Sequence, residues 1–173
     1  MKTGKVYLIG AGPGERDLLT VKGLKVLQQA DVVIYDYLVD ANVLKYTNPS
    51  AERFCADDIC PKIETRIKKL DVRSQKYSDG FTKHKDLITE LIIKKANEVK
   101  NVVRLKNGDP FIFGRANEEM SALVKNKIEF VVIPGVTAGI AAGCYTGIPL
   151  TSRECSSTVV FVTGHEAENK DTT

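Results

Sequence analysis

Apolar residues recur along the chain in two alternating rhythms: short continuous runs, and longer stretches with apolar positions three and four apart. The short runs predict strands over 5–9, 32–35, 53–56, 101–105 and 128–133. Helices fall between them. Leu18, Val21, Leu24 and Leu27 mark the first, with Asp17 placed to cap it. Leu87, Ile88, Leu91, Ile92 and Val99 form the apolar face of a helix over 85–100, and Met120, Leu123 and Val124 that of one over 116–125. Five strands alternating with helices imply an α/β fold built on a parallel sheet. Small residues crowd 136–147, predicting a lean helix that Thr137 could cap, and 157–163 reads as one more strand. The division that follows is an α/β domain over 1–134, then a connecting helix and strand over 135–173.

One segment breaks the rhythm. Residues 57–81 are polar, with Lys62, Arg66, Lys68, Lys69, Arg73 and Lys76 set among acids and turn formers. A long loop in a compact domain is commonly a lid or a solvated excursion, and basic side chains suit a lid over a polyanionic substrate.

The candidate chemistry lies in the loops that follow the strands, where open α/β sheets bind their ligands. The richest is Arg104-Leu105-Lys106-Asn107-Gly108-Asp109-Pro110-Phe111-Ile112-Phe113-Gly114-Arg115, between a strand and a helix. Gly108 lets backbone approach a ligand, and Pro110 biases Asp109 away from helix, aiming its carboxylate out of the loop. The alternative is a solvated loop that Phe111 and Phe113 anchor to the core. Gly10-Ala11-Gly12-Pro13-Gly14 makes a tight turn after the first strand, but lacks the third glycine of a dinucleotide fingerprint. Asp36 closes the second strand, as a ligand-facing acid or as an ordinary turn residue.

Composition narrows the classes. A chain of 173 residues, 43% hydrophobic, can bury one proper core. It has no apolar run of membrane-spanning length and no signal-peptide pattern, so a soluble cytoplasmic protein with no membrane partner is expected. A net charge of +3 is too small to suggest nucleic acid. Cys55, Cys60, Cys144 and Cys155 lack metal-binding spacing, and a partial set of Cys55, Cys60 and His84 is a weak alternative to ordinary thiols, so no metal is expected.

RLKNGDPFIFGR over 104–115 resembles the RLKGGDPFxFGR signature of uroporphyrinogen-III C-methyltransferases, in the tetrapyrrole methylase superfamily. Four further blocks agree in order: GAGPG from Gly10, YDYLV from Tyr35, VIPGVTA from Val132 and GIPLTSR from Gly147. The resemblance implies the N-terminal domain of that fold with only the start of the second α/β domain, hence a fragment or a reduced relative. It further implies methylation of uroporphyrinogen III at C2 and C7, giving precorrin-2 for sirohaem or cobalamin, with S-adenosylmethionine as co-substrate, in a homodimer. A non-catalytic tetrapyrrole- or cofactor-binding fragment is the alternative.

The same resemblance assigns residues. Asp36 is the proposed proton acceptor, and Arg115 and Glu118 complete the catalytic group. Pro13, Asn107, Gly108, Asp109, Ile112, Thr137 and Ala138 would hold S-adenosylmethionine. Arg115, Arg153 and, more weakly, Lys106 and Arg104 would grip substrate carboxylates. Three positions depart from the family: Tyr37 replaces an arginine, Asn107 a glycine, and Asp58 stands where a lysine is the proposed proton donor.

Overall fold

The computed structural model of the chain describes residues 3–59, 76–98 and 100–163. In order they form β1 (Val6–Gly10), a 3-10 turn (Arg16–Leu18), α1 (Val21–Leu27), β2 (Val32–Tyr35) and α2 (Ala41–Leu44). Then come β3 (Glu52–Cys55), α3 (Lys76–Asn97), β4 (Val102–Lys106), α4 (Ala116–Lys125), β5 (Phe130–Ile133) and α5 (Ala138–Thr146). The five strands make one parallel sheet in the order β3-β2-β4-β1-β5. All five predicted strands are present within two residues of their predicted ends.

Both faces of the sheet are covered. Val6, Leu8, Val32, Ile34 and Val102 pack with Ile88, Ile92 and Ala96 of α3 and with Ala116 and Leu123 of α4. Ile9, Val33, Val103 and Leu105 point the other way, onto Leu27 of α1 and Val43 of α2. Alternate strand residues therefore serve different layers, as a pleated strand requires. β4 lies in the middle and is buried along its whole length.

Local details differ from the predicted pattern. Thr20, not Asp17, caps α1, its hydroxyl accepting from Gly23 N at 3.1 Å, while Asp17 falls in the 3-10 turn. Val21 and Leu87 are exposed rather than part of the apolar faces assigned to them, as is Val124. α3 begins at Lys76, inside the span read as loop; of that span, 60–75 lie outside the described residues, as do Val99 and Cys60 of the candidate metal set, and nothing describes the side chain of His84. Residues 157–163 form no strand, because no neighbouring strand pairs with them among the described residues. Phe161 packs its ring on α5, where a Cβ on Gly139 would lie 2.3 Å from it. Val160 and Val162 remain exposed.

β3 is tied to α3 by charge. The Glu52 carboxylate accepts from Lys100 and, at 2.6 Å, from Lys95. These two hydrogen bonds, Lys100 first, hold its carboxyl at about 2 instead of 4.5. A depressed carboxyl contributes stability that is complete above its unfolded value and lost as pH falls through its folded one. Glu52→Gln is thus expected to flatten the pH dependence of unfolding between pH 4.5 and 2, with a small effect at pH 7 because the group is half-exposed. Urea titrations across that range check it.

Candidate functional site at the carboxyl edge of the sheet

β1 and β4 are neighbours, yet α1 and α4, the helices that follow them, lie on opposite faces of the sheet. Their chains must diverge to opposite faces beyond the carboxyl edge, and such a switch point is where an open α/β sheet forms its crevice. Three loops meet there. A Cβ on Gly135 would stand 2.2 Å from the Gly108 carbonyl oxygen, and one on Gly10 2.5 Å from the same atom, so only glycine lets these backbones touch. Gly12 and Gly108 exchange backbone hydrogen bonds of 3.1 and 2.8 Å.

Asp109 joins the next pair of loops. Its Oδ2 accepts from Gly135 N at 3.0 Å and its Oδ1 from Phe111 N at 2.8 Å. The carboxylate is therefore a staple between the β4 and β5 loops rather than a group aimed outward, since a short acid side chain satisfies nearby backbone N–H groups first. Of the residues expected to hold a cofactor, Pro13 adjoins Gly12, and Gly108 and Asp109 meet the 135–138 segment. A side chain at Gly108, which has φ +63°, would find Thr137 Cα and Ala138 N at 3.8 Å. Thr137 occupies the N-cap position of α5 without bonding through its side chain, contrary to the cap expected of it. This side-chain-free cradle, with an uncapped helix start facing it, fits close approach of a nucleoside-sized ligand.

On the α3/α4 face, period-two alternation places Arg104 beside Leu8 and Ile34, with Lys106 two residues further and Asp36 two beyond Ile34. Glu119 reaches them from α4, where it shares the buried face with Ala116 and Leu123. Arg104 Nε donates to Glu119 Oε1 at 2.9 Å, and the Lys106 ammonium donates to both Glu119 oxygens at 3.1 Å. Arg104 Nη2 donates to Asp36, whose other oxygen accepts weakly from Asn107 N at 3.4 Å. Burial opposes the Arg104 charge, but Glu119 and then Asp36 outweigh it, and its pKa rises further. Burial, and then Arg104 itself, push the Lys106 ammonium below the usual lysine value.

Lys106, expected to grip substrate, is buried and turned toward Glu119. Asp36 differs: its side chain is 31% exposed, so this carboxylate is the one member of the cluster that reaches the crevice mouth. Arg115 and Glu118 stand exposed at the start of α4. Arg115 has φ 53° and Phe113 φ 54°, a left-handed conformation that costs a side-chain-bearing residue about 1–2 kcal/mol each. Phe111 and Phe113 are 61% and 57% exposed, so they do not anchor the loop to the core. Tyr37 and Leu38, on the loop after the adjacent β2, are likewise exposed, and the Tyr37 N–H is held by Asp57 at 3.0 Å. Asp58 lies exposed in the same turn after β3. Arg153 lies in an exposed turn closed by the Ser152–Ser156 bridge.

The edge thus presents exposed apolar rings, a cation and an anchored carboxylate beside a backbone cradle. Sequence reading missed Glu119. Its signal was an acid at helical spacing between Ala116 and Leu123, inside an apolar stripe, where a charge must be paired. Among the described residues no group of His, Cys, Asp or Glu is arranged to hold a metal ion.

Comparison with known proteins places this geometry. The model of the tetrapyrrole (corrin/porphyrin) methylases matches residues 5–173. The uroporphyrinogen-III C-methyltransferase of Bacillus subtilis is 44% identical over 168 residues, covering 97% of this chain and 58% of that protein. The Synechocystis protein of the same name is 48% identical over 167 residues, covering 96% and 57%. The chain therefore spans a little over half the length of these relatives. Among solved structures, uroporphyrin-III C-methyltransferase from Thermus thermophilus, complexed with S-adenosyl homocysteine, superposes with a TM-score of 0.62 at 36% identity, over 87% of this chain and 51% of that one.

Proposed function

Because the chain belongs to the tetrapyrrole (corrin/porphyrin) methylase family, we propose that it serves S-adenosylmethionine-dependent C-methylation of uroporphyrinogen III at C2 and C7, yielding precorrin-2. The observation that carries this reading is the Asp36 carboxylate, held by a buried guanidinium at the crevice mouth, beside the Gly108–Ala138 cradle. S-adenosylmethionine supplies a methyl group activated on its sulfonium. Asn107, Gly108, Thr137 and Ala138, with Pro13 and Ile112 alongside, would hold it. What remains for the protein is to align the acceptor carbon, exclude water and take the ring proton. Asp36 fits the last task, since a carboxylate can accept a proton where an arginine cannot. Phe111 and Phe113 offer apolar faces to the macrocycle, Arg115 an exposed cation for its carboxylates, and Glu118 a neighbour one helical turn away to steer that guanidinium. Arg153 would contribute a second grip, and a homodimer in the cytoplasm belongs to the same reading.

Asp58 favours a second reading. With an acid in place of the family's proposed donor lysine, the crevice could bind both partners without turnover. Arg115→Ala tests the substrate site in the full-length protein. Arginine and alanine carry the same Cβ, so the left-handed strain is unchanged and only the cation is lost. The expected result is a KM for uroporphyrinogen III raised about tenfold or more, as loss of a charge-assisted contact implies, with S-adenosylhomocysteine affinity unaltered. An unchanged KM would place the substrate elsewhere.

A further inference from the structure

The guanidinium of Arg104 is held from every side. Nε is fixed by Glu119, Nη1 donates at 3.5 and 3.3 Å to the carbonyl oxygens of Ile34 and Leu105, and Nη2 meets Asp36. These partners come from β2, β4 and α4, and the group is 3% exposed. An ion pair serving the fold alone would be complete as Arg104 with Glu119. Here Lys106 adds a second buried cation, so Arg104, Lys106 and Glu119 together carry one net positive charge, and the anion they face is Asp36. The three have side chains only 4%, 5% and 11% exposed, whereas Asp36 opens to the crevice. A rigid, planar fork aimed at one carboxylate sets its direction as well as its charge.

We propose that Arg104 is a positioning residue: braced by Glu119, which Lys106 holds in turn, it fixes the Asp36 carboxylate in the orientation that proton acceptance requires. Glu119 is buried on the cations it holds, and it acts on the reaction through Arg104. This rests on the functional reading above.

The test is a double-mutant cycle on methyl transfer by the full-length protein, using wild type, Arg104→Lys, Asp36→Asn and the pair. Lysine keeps the charge but not the fork. Misplacing a reacting group by about 1 Å can cost about 10²-fold, so Arg104→Lys is expected to lower kcat by about 10- to 100-fold with both KM values within about twofold. In the Asp36→Asn background the same change should alter kcat by less than about twofold, since residues acting as one unit are not additive. Glu119→Gln keeps the shape and an acceptor for Nε, and it carries the same comparison if the lysine variant does not fold. Equal costs in both backgrounds, or an unchanged kcat, would overturn the positioning role while leaving the functional reading intact. A wild type that transfers no methyl overturns both.

Discussion

Glu119→Leu is expected to lower folding stability by about 3–5 kcal/mol, the cost of removing one partner from a buried ion cluster. That is a large share of the ~5–15 kcal/mol that holds a typical domain together. Leucine fills similar space, so lost packing is not the cause. Instead Arg104 Nε loses its 2.9 Å acceptor and Lys106 both of its 3.1 Å contacts, leaving two cations in a site that excludes water. If unpaired charge is the cause, replacing Arg104 and Lys106 by methionine in the same protein should restore most of the loss, because apolar substitutes of similar volume need no partner. Urea unfolding midpoints read both results. A loss under about 1 kcal/mol would mean that water reaches the cluster.

Asp36→Asn is expected to act on chemistry instead. The amide oxygen can still accept from Arg104, so the crevice keeps its shape, but the proposed proton acceptor is gone. General-base catalysis contributes about 10²- to 10⁴-fold, and kcat should fall by that amount while S-adenosylhomocysteine binds as before. Activity within about threefold of wild type would assign the base to another group, and Glu118, exposed at the start of α4, is the next candidate.

Much of the framework was legible in the sequence because it follows from local pattern. The strand-length runs and helical stripes locate every strand of the sheet and the bodies of α1, α3 and α4, though not the short α2 or the start of α3 at Lys76, and block order identifies the loops gathered at its carboxyl edge. What was not legible depends on partners distant in sequence. Arg104 and Lys106 read as weaker candidates for gripping substrate until the register sets them in the central strand, beside Leu8 and Gly10 of β1 and facing α4. Of the adjacent acids Glu118 and Glu119, resemblance favoured the first, but helix rotation buries the second. Residues 157–163 have the composition of a strand and lack, among the described residues, a neighbour to pair with. Phe111 and Phe113 left open the alternative of core anchors, but the turn from Pro110 to Gly114, where a Cβ on Gly114 would lie 2.4 Å from the Pro110 oxygen, leaves both rings exposed.

The central claim is that this crevice serves methyl transfer to a tetrapyrrole. The most direct measurement incubates the full-length protein with uroporphyrinogen III and methyl-labelled S-adenosylmethionine and determines the product by mass. The expected product is the tetrapyrrole carrying two added methyl groups, formed at a rate that Asp36→Asn lowers by about 10²- to 10⁴-fold. Tight binding of S-adenosylhomocysteine with no labelled tetrapyrrole would contradict that claim and leave a binding domain in its place.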